Sequence, residues 1–282
     1  MMKIVLPTDF SDNAFHAITY AAKFFENSTC IFYLVHAYTP PIYRVDYALG
    51  SPGQLGLPDD FRYLVEEKLD KTRTRIKGIF DNPKHTYVTH AAFNRLEDEI
   101  LKVAQKENAD MVIMGTQGAT GAKEILFGSN TIHVINRSDI PVLAIPSDFD
   151  MEAPQKILFP TDFEVDFKAA NLDFLLKLAK IWHSKIYVMH VSPPEGPTPQ
   201  QESNRVIMEG MMLEQNHEFH DLPDDELIGT INAFQKENAI DLLAMVKNKH
   251  SFMERLFVEP VVKNLGLHST IPFLVLPYNL NA

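Results

Sequence analysis

The chain repeats itself, and that repeat limits its architecture more than any other feature. Lys3-Ile4-Val5-Leu6-Pro7-Thr8-Asp9-Phe10 returns as Lys156-Ile157-Leu158-Phe159-Pro160-Thr161-Asp162-Phe163, with six of eight pairs identical at a spacing of 153. Asn108-Ala109-Asp110-Met111-Val112-Ile113-Met114 is echoed by Asn238-Ala239-Ile240-Asp241-Leu242-Leu243-Ala244-Met245. Ile140-Pro141-Val142-Leu143-Ala144-Ile145-Pro146 is echoed by Ile271-Pro272-Phe273-Leu274-Val275-Leu276-Pro277. The three matches keep their order, and the unit is far longer than the roughly 20–50 residues of a solenoid repeat. Two copies of one domain are therefore expected head to tail, over 1–147 and 154–282. The polar linker Ser147 to Pro154 is too short to hold them apart.

Within each copy, short apolar runs alternate with segments of helical period. Ile4-Val5-Leu6 reads as a buried strand, and Ala14, Ala17, Ile18, Ala21, Ala22 and Phe25 then recur at helical spacing. Asp9, Ser11 and Asp12 supply cap chemistry before that helix. Further strands are expected at Cys30–Val35, Thr86–His90, Met111–Met114 and Val142–Ile145, and helices at 61–80, Leu96–Glu107 and Ser129–Arg137. A long loop rich in Pro and Gly separates Tyr38 from Asp60, and the second copy is expected to follow the same plan with shorter connections. Strands alternating with helices imply a parallel sheet with helices on both faces, an α/β doubly wound architecture. In such sheets ligands sit at the carboxyl ends of the strands where strand order reverses.

The loop after the fourth strand carries the most specific motif, Gly-x2-Gly-x9-Gly-Ser, formed by Gly115, Gly118, Gly128 and Ser129. Glycines let successive amides converge on an anion, and Gly128-Ser129 opens a helix whose free N–H groups favour phosphate oxygens. The spacing is neither the Walker nor the dinucleotide pattern. Asp9, ending the first strand, suits ribose hydroxyls, adenine N–H groups or a phosphate-bound metal, and equally suits helix capping. A structural glycine turn fits the loop motif as well.

Taken together, the Pro-Thr-Asp-Phe-Ser opening, the long loop after strand 2 and the Gly-x2-Gly-x9-Gly-Ser element resemble the universal stress protein family, in particular its ATP-binding branch. The resemblance covers the whole chain as two tandem Rossmann-like domains. It implies open five-stranded parallel sheets of order 3-2-1-4-5, with adenine between the ends of strands 1 and 2 and the triphosphate on the glycine loop. The residues it implicates are Pro7, Thr8, Asp9, Ala37, Met114, Gly115, Gly118, Gly128, Ser129 and Asn130. The implied ligand is ATP, ADP or AMP, with Mg2+ as a potential companion, and the implied role is a stress-response sensor or regulator. The family also implies domain pairing through strand 5, here within one chain, with a further homodimer and an unidentified protein partner left open.

Alignment through Asp110/Asp241 and Pro141/Pro272 sets Val246, Lys249, Glu259 and Pro260 against Gly115, Gly118, Gly128 and Ser129. A carboxylate would stand where phosphate should sit, and Pro260 removes an N–H donor. The second copy is expected not to bind nucleotide.

No nucleophile, base and orienting acid can be read beside the glycine loop, so at most slow hydrolysis is expected. A slow metal-dependent ATPase or nucleotidyl transferase, or an interaction module with a vestigial loop, are the competing readings. A net charge of −11 opposes nucleic-acid binding. No apolar run approaches the roughly 18–20 residues that cross a bilayer. The single cysteine, Cys30, and an opening without a secretory pattern make a cytoplasmic protein the expectation. His217 and His220 should face opposite sides of a strand, and Met208, Met211 and Met212 read as packing residues.

Overall fold

The structure is a computed structural model, and it describes residues 1–38, 59–116, 128–147, 149, 152–167, 169–192, 196–223, 227–247 and 271–278. The Tyr38–Asp60 loop therefore lies almost wholly outside the described residues, as do Gly118, Lys249, Glu259 and Pro260.

The first half runs β1 (Met2–Pro7), α1 (Asp12–Phe24), β2 (Cys30–Tyr38), α2 (Asp59–Ile79), β3 (His85–Phe93), α3 (Leu96–Glu107), β4 (Met111–Gly115), α4 (Ser129–Arg137) and β5 (Val142–Ile145). The second runs β6 (Lys156–Thr161), α5 (Leu172–Trp182), β7 (Lys185–Ser192), α6 (Pro199–Met211), β8 (His217–Pro223), α7 (Leu227–Asn238), β9 (Leu242–Lys247) and β10 (Phe273–Pro277). All strands join one ten-stranded sheet of order β3-β2-β1-β4-β5-β10-β9-β6-β7-β8. Each half thus has the order 3-2-1-4-5, and its internal pairings are parallel.

The halves meet at an antiparallel ladder in which Val142 faces Val275, Leu143 faces Leu274 and Ala144 faces Phe273. Leu143 and Leu274 are equivalent in the two copies, so this central pair lies on a local pseudo-twofold axis. Because the junction is antiparallel, the strands' carboxyl ends emerge at opposite edges of the sheet in the two halves.

Continuous apolar strands are buried on both faces, as a helix-covered parallel sheet requires. Ile4, Leu6, Phe32, Leu34 and Ile113 turn toward α1 and α2, whereas Val5, Val35 and Val112 turn toward the α3 and α4 side. The first of these layers continues into the second half, where Trp182 of α5 packs on Phe24 and Phe25.

The repeated Lys and Asp of the sequence have a structural cause. The Lys3 amide donates to the Asp110 carboxylate at 2.7 Å, and Lys3 Nζ donates to the Glu107 carbonyl at the end of α3. In the second half the Lys156 amide donates to Asp241 at 2.9 Å and Lys156 Nζ to the Asn238 carbonyl. Each pair ties the start of a half's first strand to the chain entering its fourth.

The halves differ at one helix start. The repeat spacing places the counterpart of α1 from about residue 165, yet α5 begins at Leu172. Left-handed Phe163 (φ 55°) matches Phe10 (φ 66°) of the first half, and a second left-handed residue, Asn171 (φ 54°), sets the later helix start. Val165, Phe167 and Ala170 of the intervening stretch are buried, so hydrophobic burial replaces the helix's first turns. A smaller difference is that β2 and β3 run beyond the apolar segments, to Tyr38 and Phe93, because their backbones pair through Ala37 and Ala92.

Candidate functional site

The order of strands reverses at β1, which lies between β2 and β4. β1 ends at Pro7, and the Thr8 amide then donates to the Val35 carbonyl at 2.9 Å. Phe10 takes a left-handed conformation, φ 66°, which is costly for a residue with a side chain. The turn is held by side chains. The Thr8 hydroxyl accepts from the Phe10 amide, and the exposed Asp9 carboxylate accepts from the Ser11 amide and hydroxyl. Ser11 then caps α1 by accepting from the Ala14 amide. The cap is therefore Ser11, and Asp9 holds the capping residue in place.

Beneath this turn, the His36 ring lies 4.4 Å from the Phe10 ring, and its Nδ1 donates to the Thr8 carbonyl at 2.7 Å. Burial lowers the His36 pKa, against the opposing pull of the Thr8 carbonyl and Asp9. The ring therefore serves at neutral pH as an uncharged prop for the β1 turn.

On the other side of the crevice, β4 ends in Met114, buried, and Gly115, half-buried. A Cβ on Gly115 would stand 2.6 Å from Asn13 Nδ2, so the glycine leaves room for the Asn13 side chain from the first turn of α1. The Thr131 hydroxyl of α4 donates to the Gly115 carbonyl at 3.0 Å. The Gly128 amide donates to the Thr116 carbonyl at 2.6 Å and closes the base of the glycine loop. Gly128 is the N-cap of α4 and has no side chain to cap it, leaving the half-buried Gly128 and the exposed Ser129 and Asn130 at the helix's positive end.

Pro7, Thr8, Asp9, Met114, Gly115, Gly128, Ser129 and Asn130 thus line adjacent strand ends and one helix start. Ala37 stands on the far side of β1 from β4, at the end of β2. Gly118 lies outside the described residues. Asn13 and Thr131 belong to the same constellation although no motif marks them; their placement in the first turns of α1 and α4 is the only sequence signal.

The second half keeps the frame but lines the equivalent place with different side chains. Val246 pairs with Leu276 as Gly115 pairs with Ile145, so the two positions are structurally equivalent. Val246 is buried with its side chain in place of a glycine. Phe163 and His190 repeat the ring contact of Phe10 and His36, at 4.6 Å. Around them, Gln201 Nε2 donates to the Asp162 carbonyl and Asn204 Nδ2 to the Phe163 carbonyl. Phe167 packs at 6.1 Å from Phe163, and Arg205 is held by Asp221 and Glu209.

Other candidates resolve into packing. Cys30 is buried, which pushes its thiol up to about 12. The His217 ring packs on Phe219, whereas His220 packs on Tyr187 and Phe234. Met208 and Met212 are fully buried. Among the described residues no cluster of three or more His, Cys, Asp or Glu could hold a metal ion, and no helix is long and apolar enough to cross a membrane.

Comparison with known proteins agrees with this frame. The sequence model of the universal stress protein family matches residues 1–146. Universal stress protein MJ0577 of Methanocaldococcus jannaschii is 31% identical over 152 residues, spanning 51% of this chain and 93% of that protein. Universal stress protein MJ0531 of the same organism is 30% identical over 146 residues, spanning 51% of this chain and 81% of that protein. The crystal structure of a universal stress protein from Archaeoglobus fulgidus covers 99% of this chain and 97% of its own, with a TM-score of 0.71 at 19% identity, a likeness of fold. By its strand order, its N-terminal match and these relatives, the chain belongs to the universal stress protein family.

Proposed function

We propose that the N-terminal half binds an adenine nucleotide, ATP in the first instance, and that the protein acts as a nucleotide-dependent sensor or regulator in a stress response. One observation carries this reading: the start of α4, which no side chain caps, is tied through Thr131 to the Gly115 end of β4, beside the exposed carboxylate of Asp9. The Ser129 and Asn130 amides would hold phosphate oxygens, as helix starts do. Asp9 would take the ribose or a phosphate-bound Mg2+, since that ion is commonly held by one or two carboxylates together with the phosphates. The resemblance to the ATP-binding branch of the family supports the same assignment. The buried thiol and acidic charge suit a reducing cytoplasm.

The second half, over about 154–282, serves on this reading as a packing partner that binds no nucleotide. The buried Val246 and Phe167 and the polar links from α6 to Asp162 and Phe163 support this reading. The test is calorimetric titration of the intact protein with ATP, ADP and AMP, repeated with Gly128→Glu. One site per chain, lost in that variant, is expected. Equal binding by the variant would refute the site, and a stoichiometry of two would refute the division of labour.

A further inference from the structure

The second half has turned a residue of its own lost site onto the first half's site helix. Lys247 follows Val246 and pairs with Pro277 at the end of the β9–β10 ladder. It therefore occupies the place of Thr116, at the base of the glycine loop in the first half. Its side chain crosses the junction between the halves. Lys247 Nζ donates to the carbonyls of Ile135 at 3.0 Å, Asn136 at 3.1 Å and Ser138 at 2.9 Å. Ile135 and Asn136 lie in the last turn of α4 and Ser138 is its C-cap, so no following residue of the helix can satisfy these carbonyls. Burial lowers the Lys247 pKa, with Asp139 opposing it, as befits an ammonium taken largely out of water.

α4 is nine residues long, about 13 Å, and both of its ends are now accounted for. Its start, at Gly128 to Asn130, is the phosphate end of the proposed site. Its finish is gripped by the other half. A second tie holds the same end, since Arg137 pairs with Asp98 of α3 at 2.6 Å. An anion at the start and a cation at the end both act with the helix dipole and both oppose fraying of the same short helix. Each should then favour the other, and coupling of this kind is reciprocal.

We infer that Lys247 is a positioning residue that couples nucleotide binding in the first half to docking of the second half, with α4 as the connecting rod. The inference rests on the nucleotide reading given above. It gives the degenerate copy a regulatory role, in which any partner that pulls the halves apart loosens the nucleotide, and nucleotide tightens their contact.

The experiment compares the intact protein with Lys247→Met, which keeps most of the stem and removes the charge, and Lys247→Arg, which keeps the charge. ATP affinity is measured by calorimetry and amide exchange is followed along α4, with and without ATP. ATP should slow exchange in the wild type at 129–131 and also in the distant turn at 134–138. Lys247→Met should weaken ATP by roughly 2- to 10-fold, the range expected of a charge at a helix end, and should abolish the distant protection while local protection persists. Lys247→Arg should stay within about 2-fold of wild type, by the same rule. Unchanged affinity in Lys247→Met, or wild-type protection confined to 129–131, would overturn the coupling and leave the nucleotide site standing. The wild-type exchange result decides the matter even if Lys247→Met fails to fold. A wild type that binds no nucleotide would overturn the functional reading and the coupling together.

Discussion

Asn13 sets its side-chain amide against the Cα of Gly115, 2.6 Å from the position that a Cβ there would occupy. The contact joins the start of α1 to the end of β4 across the crevice. It makes Gly115 a residue chosen for close approach, because its backbone is not left-handed. Gly115→Ala must push the Asn13 amide aside, at a cost of about 1–3 kcal/mol. Asn13→Ala in the same molecule removes the obstacle. The double variant should therefore be more stable than the sum of the two single changes, by about 0.5–3 kcal/mol of coupling. Urea unfolding of the four proteins measures this, and strict additivity would show that the two residues do not meet.

The chain's one tryptophan reports on the junction between the halves. Trp182 is 4% exposed, packs tilted against Phe24 at 5.0 Å, and donates from Nε1 to the Phe24 carbonyl at 3.2 Å. Its emission should be blue-shifted in the native protein. The red shift should coincide with loss of helix signal in denaturant, since one hydrophobic layer runs through both halves. Trp182→Ala should cost about 3–5 kcal/mol, the range for deleting a large buried aromatic. An emission change that precedes most of the helix loss would mean that the halves separate before either unfolds.

The frame was legible because a covered parallel sheet writes itself as apolar runs, and the repeat supplied a second reading of each run. Ile4-Val5-Leu6 and Ile157-Leu158-Phe159 read as interior strands, and α3 and α4 show themselves through their helical period. The late start of α5 was hidden. The sequence after Asp162 keeps some helical spacing, and only the structure, with its added left-handed turn at Asn171, shows that Val165 and Phe167 go to the core instead. At the site, the glycines and Asp9 announce themselves by type and spacing. Asn13 and Thr131 do not, because polar residues in a helix's first turn are common and carry no spacing that marks a site. Lys247 was invisible for a different reason: its three partners lie more than a hundred residues away in the chain.

Acid should reveal the carboxylate buried beside β3. Glu99 is 1% exposed. Burial raises its pKa, but hydrogen bonds from Asn94 at 2.9 Å and His90 at 2.7 Å, with Lys102 nearby, outweigh it and leave the pKa lowered. A carboxyl whose pKa is lower folded than unfolded adds stability above its unfolded value, about 4.3, and loses it as pH falls through the folded value. Glu99→Gln should therefore cost about 1–3 kcal/mol at pH 7. The difference from wild type should shrink steadily below about pH 4. Urea midpoints at pH 7, 4 and 3 measure it, and a gap that does not change with pH would show that the carboxylate's charge contributes nothing.

Cutting the chain after Ser147 should convert the internal junction into an external one. Val142, Leu143, Ala144 and Ile145 are at most 1% exposed, and β10 covers the edge that β5 would otherwise present. An exposed apolar edge strand is a ready template for another chain. The local symmetry supplies the geometry, because Leu143 faces its own counterpart, Leu274, and a second Leu143 can take that place with little rearrangement. The fragment should sediment as a dimer at micromolar concentration. Leu143→Lys should dissociate or precipitate it, since two ammonium groups would then meet at the dyad. A soluble, compact, monomeric fragment would mean that β5 tolerates solvent, and the second half would then be needed for something other than closing the sheet.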